Sequence, residues 1–277
     1  MISGARKTID VTYFIIKDDI FGKSMLGLLL KKAREGVKIR LMMDARGSGE
    51  LTRIFAGVDY LQELLETPGV EIKVYNPVNV ALRRILGDVR NAVLSNHDKI
   101  LLIDGETAMT GGRNISEIYF ADPRDCEKVY RDADVFLKGR SVAARMKTAF
   151  DEEFSSHQAF NVRRELFGNI VSRSEELELA RRAMQAHISG MDLSAFAASS
   201  NPHARKFAET LSKYKHMRSY QSYDPLSGLH PYPVIMLDKH SRRGTRNDIT
   251  PGISAFLKTA VREVLIQNFC IILSPEA

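Results

Sequence analysis

At 277 residues and 44% hydrophobic content, the chain has room for one large or two ordinary domains and enough apolar side chains for a real core. A net charge of +6 and a pI near 9.2 favour anionic partners, lipid headgroups or nucleic acid, without choosing between them. No run approaches the roughly 18 apolar residues of a membrane span, the N-terminus lacks an apolar signal core, and Cys126 and Cys270 stand apart without disulfide or metal-ligand spacing. The expectation is a folded protein of a reducing compartment, peripheral to a membrane on its cytoplasmic side, without metal or other cofactor. Ile9 to Ile16 is a β-rich apolar run, and Phe21 to Arg34 carries leucines and a methionine at helical spacing until Gly36 stops it. Val37 to Met43 is a second apolar run ending at Asp44, and Gly47-Ser48-Gly49 reads either as a plain turn or as a glycine loop lining a site at a strand's carboxyl end. A helix near Val58–Glu66, a break at Pro68-Gly69 and a strand Val70–Tyr75 follow. This β-α-β-α-β order predicts an α/β layer with strands buried on both faces.

Residues 95–114 read Ser-Asn-His-Asp-Lys-Ile-Leu-Leu-Ile-Asp-Gly-Glu-Thr-Ala-Met-Thr-Gly-Gly-Arg-Asn. They predict a buried strand Lys99–Ile103, a turn at Gly105 and a return strand Glu106–Thr110. Residues two apart in a strand share a face, so His97 and Lys99 are expected to project together at its start. One is a base and nucleophile near neutral pH and the other a positive charge, a pair suited to a phosphate ester. Gly111 and Gly112 allow close backbone approach, and Asn114 adds an amide donor. Asp104 falls on the opposite face of a regular strand, which makes it a poor direct partner of His97. The spacing HxKx4D followed by GGxN, with Tyr-Arg-Asp-Ala-Asp-Val-Phe-Leu-Lys-Gly at 130–139, resembles the catalytic motifs of the phospholipase D superfamily. Tyr130 stands where that family commonly has tryptophan or phenylalanine. The opening lobe is similar too, in Tyr13-Phe-Ile-Ile-Lys-Asp, Ala33-Arg-Glu-Gly-Val-Lys-Ile-Arg and Asp44-Ala-Arg-Gly-Ser, so the resemblance runs from about residue 8 to 156.

Beyond the motif, Tyr119 to Lys128 reads as a loop at the rim of the site, Val129 to Leu137 as a strand, and Ser141 to Phe154 as a helix with an apolar stripe. In residues 157–231, Glu175–His187 and Ala204–Tyr214 have helix-forming composition, while Ala197 to Pro202 and Ser222 to Pro233 are loop-like. The basic-aromatic stretch Lys213 to Tyr220 reads as a solvated connection or as a contact for phosphates. Val234–Leu237 predicts a strand, Ile253–Val264 an amphipathic helix, and Leu265–Leu273 a further strand. These resemble the start of a second lobe, whose own motif is not present in the chain. His240, with Arg242 and Asn247-Asp248, comes near a second motif but lacks the lysine, the spaced acid and the Gly-Gly-x-Asn.

The fold expectation is thus an α/β, phospholipase D-like lobe with a central mixed β-sheet flanked by helices at 1–156, a helical and loop connector at 157–231, and an incomplete second lobe at 232–277. What the resemblance implies is metal-free phosphodiester chemistry through a phosphohistidine, with His97 as the catalytic histidine. Lys99 and Asn114 are the implied phosphate donors, Asp132 the carboxylate orienting His97, and Asp104, Gly111 and Gly112 supporting residues. The implied function is that of a phosphatidyltransferase or phosphodiesterase of the cardiolipin synthase type, acting on a phosphatidylglycerol-like phospholipid. A second HKD motif would come from a further lobe or a second subunit. The alternatives are a nuclease of the same superfamily, or an incomplete lobe that binds lipid or nucleic acid. The small one-motif nucleases, which dimerise through a compact single lobe, fit the connector and second lobe poorly.

Overall fold

In the computed structural model, which describes residues 1–51, 59–77, 94–164, 172–217, 233–238 and 248–264, the apolar runs of the first 75 residues form three parallel strands. β1 (Thr8–Tyr13) pairs with β2 (Lys38–Asp44), and β2 with β3 (Val70–Tyr75). The HKD stretch continues the sheet past β1 as an antiparallel hairpin, β4 (Ile100–Ile103) and β5 (Thr107–Gly111), followed by β6 (Asp134–Lys138). β7 (Ala159–Asn161) closes the other side against β3, which gives, among the described residues, a mixed seven-stranded sheet in the order β6-β5-β4-β1-β2-β3-β7. β7 lies in the stretch expected to be a connector. A strand of three residues is too short for an alternation of apolar and polar side chains to mark it in the sequence.

The central strands β1, β2 and β4 bury both faces, as their near-continuous apolar runs require. Val11, Leu41, Leu101 and Ile72 lie in one core with α1 (Ile20–Arg34) and α5 (Ser174–Ile188). Phe150 and Met146 of α4 (Arg140–Phe154) are also buried, and α4 packs on β4, β5 and β6 on the opposite side. Each fully buried Leu, Ile or Phe contributes roughly 1.5–3 kcal/mol. The chain between these helices adds α2 (Asp59–Leu65) and α3 (Glu117–Phe120), and α6 (Ser194–Ala197) and α7 (Pro202–Ser212) follow α5. α1 and α5 pack closely because Gly27 has no side chain: a Cβ there would meet the Leu177 carbonyl oxygen at 2.2 Å. Ser24 Oγ donates across the same contact to the Ala180 carbonyl at 3.0 Å, and Lys23 pairs with Glu176 at 2.9 Å.

The described part of residues 157–217 packs within a first unit, Met1–Tyr232. β6 begins at Asp134, later than the expected Val129, because residues 129–133 run irregularly past the glycines at the end of β5. The second unit begins at Pro233. Its residues 233–238 form no strand, in place of the one expected at Val234–Leu237, and its helix α8 spans Ile249–Leu257, starting and ending earlier than expected. The strand expected at Leu265–Leu273, the near-motif at His240 and the last three residues of the basic-aromatic stretch, after Met217, lie outside the described residues.

Candidate active site at one end of the sheet

The alternation of parallel and antiparallel pairings brings the carboxyl ends of β1, β2, β3 and β5 and the amino ends of β4 and β6 to one edge of the sheet. His97 precedes β4, Asn114 follows β5 and Asp132 precedes β6, so residues far apart in the chain meet there. The carboxyl edge of an α/β sheet is where ligands commonly bind.

His97 lies at the surface in the irregular segment 94–99, and Lys99 is buried beside it at 6% exposure. The two meet without sharing a strand face. Instead Lys99 folds back, its Nζ donating to the His97 carbonyl at 2.6 Å and lying 2.9 Å from His97 Nδ1. A protonated lysine has only donors, so in this contact Nδ1 accepts and the proton of a neutral ring sits on Nε2. The ring packs on Phe14, with centroids 4.5 Å apart, and Lys99 Nζ lies 5.6 Å from the same Phe14 ring. Loss of solvent, and then the charge of Lys99, hold the His97 imidazole below its usual value, against the opposing pull of Asp44. Burial likewise pushes the Lys99 ammonium down to about 8, opposed by Asp98 and Asp132.

Asn114 is buried at 2% exposure, and its Oδ1 accepts from the Ile15 amide at 3.0 Å. That bond fixes the direction of the amide group. Its NH₂ end faces the Tyr119 hydroxyl. The neighbouring backbone is stitched by Ile115 N to Ile15 O and Lys17 N to Ile115 O, both 3.0 Å. Ser48 Oγ accepts from Ile16 N at 2.9 Å and donates to Phe14 O at 3.2 Å. A Cβ at Gly47 would meet Phe14 O at 2.1 Å, so the Gly47-Ser48 turn packs closely against the chain that follows β1.

In this structure Asp132 makes no hydrogen bond to the His97 ring. The hydrogen-bond partner of the ring is Lys99, and the carboxylate whose charge reaches it is that of Asp44. Asp132 is turned toward Gly112, where a Cβ would meet its Oδ1 at 2.1 Å, and its charge acts on Lys99. Asp104 sits at the far end of β4, where Asp104 and Gly105 adopt φ values of 55° and 67° in the turn from Ile103 to Glu106, a geometry that Asp-Gly suits. Its carboxylate accepts the amides of Arg6 at 2.9 Å, Lys7 at 2.7 Å and Thr8 at 2.9 Å, anchoring the start of β1. Those bonds hold the fold together at the end of the sheet away from His97. Sequence reading placed Asp44, Ser95, Asn96 and Phe14 within its motif stretches and Tyr119 at the rim, but gave none of them a role at His97. The signal for Asp44 was its position at the end of a buried apolar run, directly before the glycine loop.

Residues 1–154 match the family described as "Cardiolipin synthase, PLD-like domain". Cardiolipin synthase C of Escherichia coli (strain K12) is 33% identical over 139 residues, covering 49% of this chain and 28% of that protein. Cardiolipin synthase 2 of Bacillus anthracis is 34% identical over 138 residues, covering 50% of this chain and 24% of that protein. The matched segment thus spans about a quarter of the length of these curated relatives. Among solved structures, the phospholipase D family member Nuc from Salmonella typhimurium is similar with a TM-score of 0.38 and 16% identity, covering 58% of this chain and 86% of that one.

Proposed function

The chain belongs to the cardiolipin synthase family of phospholipase D-like domains, and from that premise we propose that it is a phosphatidyltransferase or phosphodiesterase acting on phospholipid through a phosphohistidine at His97. The observation that carries the reading is the contact between His97 and Lys99 at the carboxyl edge of the sheet. A phosphodiester oxygen that draws an N–H of Lys99 away releases Nδ1 to take up the ring proton, which leaves the Nε2 lone pair to attack phosphorus. Lys99 then offsets the charge that develops on the phosphoryl oxygens, and Asn114, with its amide direction set by Ile15, is a second donor. A second histidine, from another HKD motif in a further lobe or a second subunit, protonates the leaving oxygen and later activates water or an acceptor alcohol. We read residues 1–156 as the lobe that carries the motif and the unit beginning at Pro233 as the start of a further lobe; the boundary between the two units supports that division. Among the described residues no helix is long and apolar enough to cross a membrane, and a peripheral, basic-surface attachment to anionic lipid is part of the same proposal.

The test is a side-by-side assay of a form holding two HKD motifs on phosphatidylglycerol vesicles and on DNA and RNA. Headgroup release or transfer is expected from the vesicles, weakening as salt screens the basic surface. Cleavage of nucleic acid with inert lipid would instead identify a nuclease.

The charges of the site predict a pH window. Turnover needs His97 neutral and Lys99 charged. The His97 value is held below its ordinary 6.5, so activity is expected to rise with pH in that acidic range and to fall as pH passes through about 8 and Lys99 loses its proton. A kcat/KM profile checks this. Lys99→Arg, whose guanidinium stays charged, is expected to remove the fall near pH 8 and leave only the limb set by the second histidine, even though its geometry lowers the plateau.

A further inference from the structure

Building on the phosphohistidine reading, we infer that Asp44 is the positioning residue of His97, holding the backbone ahead of the histidine and placing a carboxylate charge within reach of its ring. Asp44 ends β2, which β1 and β3 flank within the sheet, and it is 1% exposed. Its Oδ1 accepts from Arg46 N at 2.8 Å and Gly47 N at 3.4 Å, which fixes the carboxylate to its own turn. Its Oδ2 accepts from Ser95 Oγ at 3.0 Å and Asn96 N at 2.7 Å, the two residues directly before His97. An aspartate at a strand end that only formed a turn would be satisfied by Oδ1 alone. These two further donors lie 51 and 52 positions away in the chain.

The grip continues around the histidine. Asn96 Oδ1 accepts from Asp98 N at 3.0 Å, and Asn96 Nδ2 donates to Asp98 Oδ2 at 3.2 Å, so His97 is spanned by a short turn rooted in Asp44. Directly after β3, Asn76 Nδ2 donates to the Leu94 carbonyl at 2.9 Å. His97 is thereby tied to the interior of the sheet, while its ring stays at the surface. The charged groups that act on the ring are Lys99 and Asp44, and those that act on Lys99 are Asp98 and Asp132. Asp44 therefore supplies what Asp132, turned to Gly112, does not: negative charge that favours the imidazolium as the histidine takes up or gives a proton.

The experiment follows the His97 ring resonance of the 277-residue protein by NMR across pH, assigned by its loss in His97→Gln. In Asp44→Asn the His97 midpoint is expected to fall by about 0.5–1 pH unit, the size of effect one nearby carboxylate exerts. An unchanged midpoint in folded Asp44→Asn would reduce Asp44 to a turn former and overturn the inference. If that variant does not fold, the wild-type ring decides: a second inflection as Asp44 titrates supports the inference, and a single inflection overturns it. None of these readings needs turnover, so failure of every phosphodiester assay would remove the functional proposal and leave this result standing.

Discussion

In a form that holds two HKD motifs, replacing His97 by alanine is expected to abolish phosphodiester turnover, a loss of at least about 10⁴-fold of the kind seen when a covalent nucleophile is removed. The variant should fold normally, because the His97 side chain is exposed and its backbone is held through Ser95 and Asn96. Lys99→Ala and Asn114→Ala are expected to cost less, roughly 10²–10³-fold each, as donors to a charge that develops in the transition state. Asn114→Ala should also lower stability, since it leaves the Ile15 amide without its acceptor. The measurement is kcat on phosphatidylglycerol and on a bis-aryl phosphate, with size-exclusion chromatography of the same samples. One HKD motif supplies one histidine, so a monomer of these 277 residues is expected to be inactive. Wild-type rates in His97→Ala would remove the covalent step.

The second large effect separates two adjacent glycines. At Gly111 a Cβ would lie 2.4 Å from the Ala133 carbonyl oxygen and 2.7 Å from the Asp134 Cα. Those atoms are backbone of the segment leading into β6 and cannot step aside. Gly111→Ala is therefore expected to destabilise the fold by about 1–3 kcal/mol or more, the cost of overpacking a rigid site. At Gly112 the obstacle is the Asp132 side chain, with Oδ1 at 2.1 Å and Cγ at 2.9 Å. A side chain can rotate. Gly112→Ala should keep most of the stability, displace the Asp132 carboxylate and change the field on Lys99, moving the alkaline limb of the pH profile. Thermal or urea unfolding of both variants, with the pH profile of Gly112→Ala, checks the contrast. Equal losses of stability would mean that the β5–β6 approach is not set by backbone at Gly111.

Local pattern settled the alternating strands and helices of the first 75 residues, because 3.6- and 2-residue periodicities follow directly from helix and strand geometry. It settled the HKD hairpin as well. The expected strands at Val70–Tyr75 and around Ile100–Ile103, and the helix through Phe154, occur within a residue or two of their expected bounds where periodicity is strong. Asp104 is apart from His97 as expected, but through the length of β4 between them and not through strand faces, since His97 precedes the strand. Tertiary structure alone decided the rest. β7 exists because β3 offers an edge, not because Ala159–Asn161 alternates. The fold-back of Lys99 depends on the way residues 94–99 cross the end of the sheet, which no strand rule describes. The bonds of Asp44 to Ser95 and Asn96, some fifty positions away, and the approach of the Asp132 side chain to Gly112 arise because segments distant in the chain reach the same end of the sheet. Residue type and spacing carry the chemistry of a motif, whereas the partner of each charged group is set by the order in which strands are laid side by side.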